Sequence, residues 1–225
     1  MKSQTESPQE SSPVIIQLAT ALFSFPPSFD PPSVADSFGF ILEFRPDLSG
    51  IADTIIDRIQ QTSGVGNASE YLGLHLRTEA DAKGEWASWD DLTNTTISTA
   101  LENNMKTIYV ASGDKNSVAR LVTKADKIGI KVVDKWSILG NGDEATYLES
   151  FNFDQQGIVD YLALMQSNIF IGSAGSSFSS HVVTRRQFLD EHDPTFNGGD
   201  TKGGRAQKDK LTGGARLGFW DMDWP

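Results

Sequence analysis

The sequence predicts an α/β domain, a doubly wound, mostly parallel Rossmann-like sheet. Three observations carry that prediction. Short apolar or β-branched runs of strand length occur at residues 71–77 (YLGLHLR), 107–111 (TIYVA), 130–133 (IKVV) and 169–172 (IFIG). Stretches with helical spacing lie between them. Turns of small or polar residues follow the first, second and last runs, at residues 77–79, 112–114 and 173–177. Strand–helix alternation of this kind needs crossover connections, which are right-handed and make neighbouring strands parallel.

In chain order, residues 1–13 are polar and read as a disordered arm, and residues 14–37 end in the proline-rich PPSFDPPS, a connector. Arg45-Pro46-Asp47 opens a helix in which Leu48, Ile51, Ala52, Ile55, Ile56 and Ile59 form one apolar face, and Gly64 and Gly66 end it. After the first strand comes a tryptophan-containing polar loop at 81–91, then helices at 92–105 and 117–128 around the second strand. A helix at 155–165, with Ile158, Val159, Leu162 and Met165 on one side, precedes the last strand, and a helix at 176–188 follows it. Residues 190–218 are rich in glycine and charge and read as a mobile loop; the aromatic end, residues 219–225 (FWDMDWP), is suited to docking back. The division is therefore an arm and linker at 1–37, a domain at 38–190, and a loop with tail at 191–225.

Composition narrows the function. The chain has 225 residues, 38% of them hydrophobic and 22% charged, enough to bury one sizeable core. A formal net charge of −11 repels phosphate backbones, so no nucleic-acid partner is expected. Without cysteine there is no disulfide framework, and no run approaches the ~20 apolar residues of a membrane span. The N-terminus lacks the apolar stretch of a secretory signal, while Asn67 and Asn94 head glycosylation triplets.

Binding sites in such sheets gather at the carboxyl ends of the strands. His75 and Arg77 stand two residues apart on the first strand, so they share a face while Leu74 and Leu76 take the other. A guanidinium there either grips a diphosphate with its planar fork or pairs with Glu79 or Asp81. The turn Gly172-Ser173-Ala174-Gly175-Ser176-Ser177-Phe178 leads from strand into helix, where amides and dipole can cradle phosphate, though serine and glycine also serve as ordinary cap and turn residues. Asp160, on a helix, is either a solvated acid or an acceptor for a base or ribose; Asp114 after the second strand is equally open. His181 and His192 have no metal-ligand spacing and read as non-catalytic, and the acids Asp81, Glu85, Asp90 and Asp91 read as a solvated loop face. The turn is neither a dinucleotide fingerprint nor a phosphate loop ending in Gly-Lys-Ser/Thr, which disfavours an NAD-type oxidoreductase.

Residues 71–77, the TIYVASGD of 107–114, and the passage from Asp160 to Phe178 together resemble the GDP-fucose protein O-fucosyltransferase family, in order and spacing, over about residues 38–190, as a fungal- or plant-like member would. The resemblance implies the C-terminal, nucleotide-sugar-binding half of a two-domain GT-B glycosyltransferase, with GDP-fucose as donor and fucose transferred with inversion to a hydroxyl of a protein or glycan acceptor. It implies no cofactor and no metal. Arg77 would be the catalytic residue, neutralising the departing GDP at its β-phosphate. His75 would position Arg77 or the nucleotide, Asp160 would meet the guanine or ribose, and Ser176, Ser177 and Phe178 would line the diphosphate and base. It also suggests the lumen of the endoplasmic reticulum or Golgi. No counterpart of the family's N-terminal domain is expected in these 225 residues, so the alternative is a non-catalytic GDP-sugar-binding module.

Overall fold

The computed structural model describes residues 43–62, 70–79, 87–192, 196 and 205–213, excluding the side chains of Glu191, His192 and Arg205. All of these belong to one unit, Leu42–Trp220. The arm and linker at 1–37, the glycines expected to end the first helix, the triplet headed by Asn67, Asp81, Glu85 and the aromatic tail lie outside the described residues.

The element order is α1 (Pro46–Thr62), β1 (Leu72–His75), α2 (Trp89–Glu102), β2 (Thr107–Ala111), α3 (Lys115–Asp126), β3 (Lys131–Val133), α4 (Lys135–Leu139), α5 (Asp143–Glu149), α6 (Phe153–Met165), β4 (Ile169–Ser173), α7 (Ser177–His192), a 3₁₀ turn (Arg205–Lys208) and β5 (Lys210–Thr212). The strands make one five-stranded sheet in the order β3-β2-β1-β4-β5. Every pairing in it is parallel. The chain builds outward from β1 through β2 to β3, then returns to lay β4 on the other side of β1. The order reverses between β1 and β4, and the carboxyl ends of strands at such a point are the usual place for a ligand in an open α/β sheet.

Alternation along the strands decides what covers each face. Leu72, Leu74 and Leu76 join Ile108, Val110, Ile169 and Ile171 in a core closed by Leu92 and Ala100 of α2 and by Leu121 and Ala125 of α3. Tyr109, Ala111, Val133 and Phe170 face the opposite way and pack with α1, α6 and α7. Helix α1 contributes the expected face, with Leu48, Ile51, Ala52, Ile55 and Ile59 buried and Ile56 packed against them. Close approach on this side requires glycine. A Cβ at Gly73 would come within 2.8 Å of Ser167 Oγ, and one at Gly172 within 2.4 Å of Ser179 Oγ. No helix of the described residues is long and apolar enough to cross a membrane.

Three elements differ from the sequence reading. Helices α4 and α5 are five and seven residues long, too short for a helical period to show. Asp134 starts α4, its carboxylate accepting from Ser137 N while Ser137 Oγ accepts from Asp134 N. The segment expected to be a loop from 190 to 218 contains β5, three residues held to β4 in parallel. Its anchor is the side-chain chemistry beneath it.

That anchor is Arg186 on α7, fully buried. Its Nη1 donates to the carbonyls of Met165 and Ser167, both at 2.7 Å. Its Nε and Nη2 donate to the two oxygens of Asp209, at 2.7 and 3.2 Å. Asp209 Oδ1 also accepts from Phe170 N at 2.8 Å. One guanidinium thereby ties α7 to the end of α6, the entry to β4 and the entry to β5. Burial raises the Asp209 pKa while Arg186 opposes the rise. Breaking a buried pair by deleting one member strands the other charge, at a cost of about 3–5 kcal/mol. Arg186→Met is expected to lose that much in urea unfolding, whereas Arg45→Ala, which breaks the exposed pair with Asp47, should move stability by under about 1 kcal/mol. A loss at Arg186 no greater than that at Arg45 would contradict the anchoring role.

Candidate functional site

The carboxyl edge of the sheet is assembled from three turns. β1 ends at His75 and runs on through Arg77, Thr78 and Glu79. Leu76 N donates to Ala111 O at 2.9 Å, so β1 stays beside β2 to its end. There the two turns are stapled. Glu79 Oε1 accepts from Gly113 N at 2.8 Å, and Thr78 Oγ1 donates to Asp114 Oδ2 at 3.2 Å. Asp114 caps α3, accepting from the amides of Asn116 and Ser117 and from Ser117 Oγ. The Ser117 bonds, side-chain first, hold its pKa below the usual carboxylate range. This capping role is neither of the two readings that the sequence left open for Asp114.

Arg77 lies with its Nη1 2.7 Å from Glu79 Oε2, both side chains about one quarter exposed. The ion pair anticipated as one of two readings therefore exists. It orients the guanidinium at the end of β1 without burying it. Glu79 titrates below its ordinary value because the Arg77 bond, with backbone donors, outweighs the opposing effect of burial.

His75 shares its strand face with Gly73, toward α6 and α7. Its Nδ1 is 2.7 Å from Ser179 Oγ, and its ring lies 4.5 Å from that of Phe178. Burial pushes the His75 pKa down to about 4, with Glu79 opposing and Arg77 assisting. The ring is therefore neutral at physiological pH.

β4 delivers the third turn. Ser176 is buried and caps α7, its Oγ accepting from Ser179 N at 3.3 Å and its carbonyl from Ser180 N at 2.9 Å. The 16-residue α7 begins at Ser177, which is exposed, so its first-turn amides and positive dipole end are directed at the carboxyl edge. Phe178 is half-buried between His75 and Tyr161, whose ring is 5.9 Å away in a T-shaped contact. Tyr161 in turn lies 5.5 Å from His181 and 5.7 Å from Phe44.

The structure thus brings His75, Arg77, Ser176, Ser177 and Phe178 to one end of the sheet. Asp160 is placed differently. It is buried on α6, where Tyr109 OH donates to Oδ1 at 2.7 Å and Lys135 Nζ to Oδ2 at 2.5 Å. Burial raises its pKa against the pull of Lys135 and Tyr109. Both oxygens are engaged inside the domain, and it is the neighbouring Tyr161 that reaches Phe178. Tyr161, Ser179 and Lys135 are the residues that sequence reading did not single out. Ser179 was findable as the third residue of a serine-capped helix; nothing local marks Lys135. Of the remaining acids, Asp91 completes a capping box with Ser88 at the start of α2. Among the described residues no group of three or more His, Asp or Glu is arranged to hold a metal ion.

A family model described as GDP-fucose protein O-fucosyltransferase matches residues 32–189, well over half of the chain. Among solved structures, POFUT1 in complex with GDP is similar at a TM-score of 0.45 and 12% identity, covering 70% of this chain and 48% of that one. POFUT1 in complex with GDP-fucose gives 0.45 and 11%, covering 70% and 47%. The chain spans about half the length of these solved structures. No curated protein matches it.

Neutral, half-buried His75 gives a pH signature. Its folded pKa is about 4 against an ordinary 6.5, so its contribution to stability is complete above pH 6.5 and is lost as pH falls from there toward 4. The loss should reach roughly 3 kcal/mol at the acid end of that window. Urea unfolding as a function of pH is expected to show it in the parent protein, and to show a flatter profile between those limits for His75→Gln. Parallel profiles would mean that His75 is hydrated and unperturbed.

Proposed function

Because the chain belongs to the GDP-fucose protein O-fucosyltransferase family, we propose that this domain binds GDP-fucose at the carboxyl edge of its sheet and supports transfer of fucose to a hydroxyl acceptor. The observation that carries the reading is the convergence of His75, Arg77 and the capped start of α7 at the carboxyl ends of β1 and β4, where the strand order reverses. In transfer, the acceptor oxygen bonds to the sugar C1 on the face opposite the diphosphate. The C1–O bond to the β-phosphate breaks, its electron pair stays on GDP, and the hydroxyl proton is released. The configuration inverts. The charge that grows on the diphosphate is met by the Arg77 guanidinium and by the α7 amides, donors fixed before the reaction begins. Arg77 would grip the β-phosphate, Ser176 and Ser177 would line the diphosphate, and Phe178 would stack on the base. In this scheme no metal is needed for the charge. Asp160 would act on the nucleotide through the placement of α6 and Tyr161, or directly if its link to Lys135 opens.

The acceptor is a protein or glycan hydroxyl, and transfer is a property proposed for the whole enzyme. Labelled GDP-fucose with a panel of peptide and glycan acceptors tests it. Binding without transfer to any acceptor would favour the second reading, a GDP-sugar-binding module.

Calorimetry should find GDP and GDP-fucose bound more tightly than UDP or NAD, with EDTA making little difference. Equal or tighter UDP binding would refute the nucleotide assignment, and loss of binding in EDTA would refute metal independence. Arg77→Lys keeps charge but loses the fork, so GDP should bind on the order of tenfold more weakly. Arg77→Ala should lose more, while its melting point falls only modestly, since the partner Glu79 keeps its bond to Gly113 N. A folded Arg77→Ala protein that binds GDP normally would remove Arg77 from the site.

A further inference from the structure

We propose that Ser179 is a positioning residue that holds His75 as its Nε2–H tautomer, so that the ring presents one fixed N–H donor to an acceptor oxygen of a nucleoside diphosphate. The ligand half of this statement rests on the GDP-fucose reading above; the tautomer half does not.

Ser179 is fully buried, two residues into α7. Its amide is held by Ser176 Oγ. Its side chain sits against Gly172, where a Cβ would come within 2.4 Å of its Oγ and 2.7 Å of its Cβ. The strand position is bare, so the hydroxyl occupies space that any other residue at 172 would take. From there Oγ reaches His75 Nδ1 at 2.7 Å, its one hydrogen-bond partner among the described residues.

A hydroxyl has one proton to give, and a buried one without an acceptor is costly. Serines in helices often donate to the carbonyl four residues back, but Ser179 makes no such bond among the described residues. Its proton is satisfied only if Nδ1 is the acceptor. In a neutral imidazole the other nitrogen then carries the hydrogen. The ring is neutral, because burial holds its pKa at about 4 and the charges beside it, Glu79 and Arg77, act in opposite directions. Phe178 packs 4.5 Å from the ring and limits its rotation. The remaining nitrogen, Nε2, makes no hydrogen bond among the described residues, and the half-buried ring lies at the carboxyl end of β1, where the strand order reverses. A neutral N–H donor there suits a phosphate or carbonyl oxygen and adds no charge to the Arg77 side.

The tautomer can be read on the ligand-free full chain by ¹⁵N NMR of labelled histidine. The chain has three histidines, and the His75 signals are those lost in His75→Gln. The expected spectrum has Nδ1 as the unprotonated nitrogen and Nε2 bearing hydrogen; Ser179→Ala should turn this into a mixture. The reverse assignment in the parent protein would overturn the proposal, even if Ser179→Ala fails to fold. With GDP as probe, Ser179→Ala should weaken binding by about three- to tenfold in the parent background. It should cost almost nothing further in a His75→Gln background, because the two act through one bond. Equal losses in both backgrounds would overturn it, since a merely structural role would give that result. If GDP does not bind the parent chain at all while the tautomer is as expected, the functional reading fails and the assignment of Ser179 stands.

Discussion

The fold depends on a charge that has no access to water. Arg186 is fully buried and is hydrated, in effect, by Asp209 and by three backbone carbonyls. Only one arrangement of α6, β4, α7 and β5 supplies all of those acceptors at once. An apolar side chain would tolerate a helix sliding by an ångström; a buried guanidinium does not, because any slide leaves a donor unmet. The precision reaches along α7 to its other end, where Ser179 has to meet both the bare surface of Gly172 and the nitrogen of His75. The anchor lies where β4 and β5 begin and the candidate site where β1 and β4 end. The anchor and the candidate site thus occupy opposite ends of the same helix.

The two ends also differ in how they handle charge. Arg186 is closed off, whereas Arg77 shares its charge with Glu79 and stays about one quarter exposed. A partly exposed ion pair keeps some of its hydration and so costs less to form than a closed one. The Lys135–Asp160 pair belongs with the closed kind, further enclosed by Tyr109. A carboxylate predicted to meet a nucleotide is, in this structure, part of the packing between α4, α6 and β2.

Legibility in the sequence followed locality. The β2 run matched to the residue, the other apolar runs to within two, and the shared face of His75 with the opposite face of Leu74 and Leu76 followed from period two alone. The apolar stripe of α1 was visible for the same reason. Helices α4 and α5 and strand β5 were not: five and seven residues are at most two helical turns, too few to show a helical period, and β5 has a single apolar residue, Leu211, in a segment rich in glycine and charge. The site divided likewise. A histidine, an arginine and a serine turn stood out by position relative to strands. The partners that decide their state did not: Ser179 is 104 residues from His75, and Lys135 is 25 from Asp160. No local pattern encodes those pairings.

The sheet order has a consequence for how the molecule forms. β1 pairs with β2 across a short crossover, so the half from β1 to β3 can assemble as it is made. β4 must then find the other edge of β1, and the contacts that register it, such as Asn168 with Tyr71, span 97 residues. Until it does, the central strand has one bare edge, with its apolar face covered on one side only. Closing a loop of that length costs more entropy than closing the one between β1 and β2, and β1 with β4 is the longest-range strand pairing in the sheet. The point at which the strand order reverses, beside the candidate site, is therefore also where the sheet closes its longest loop.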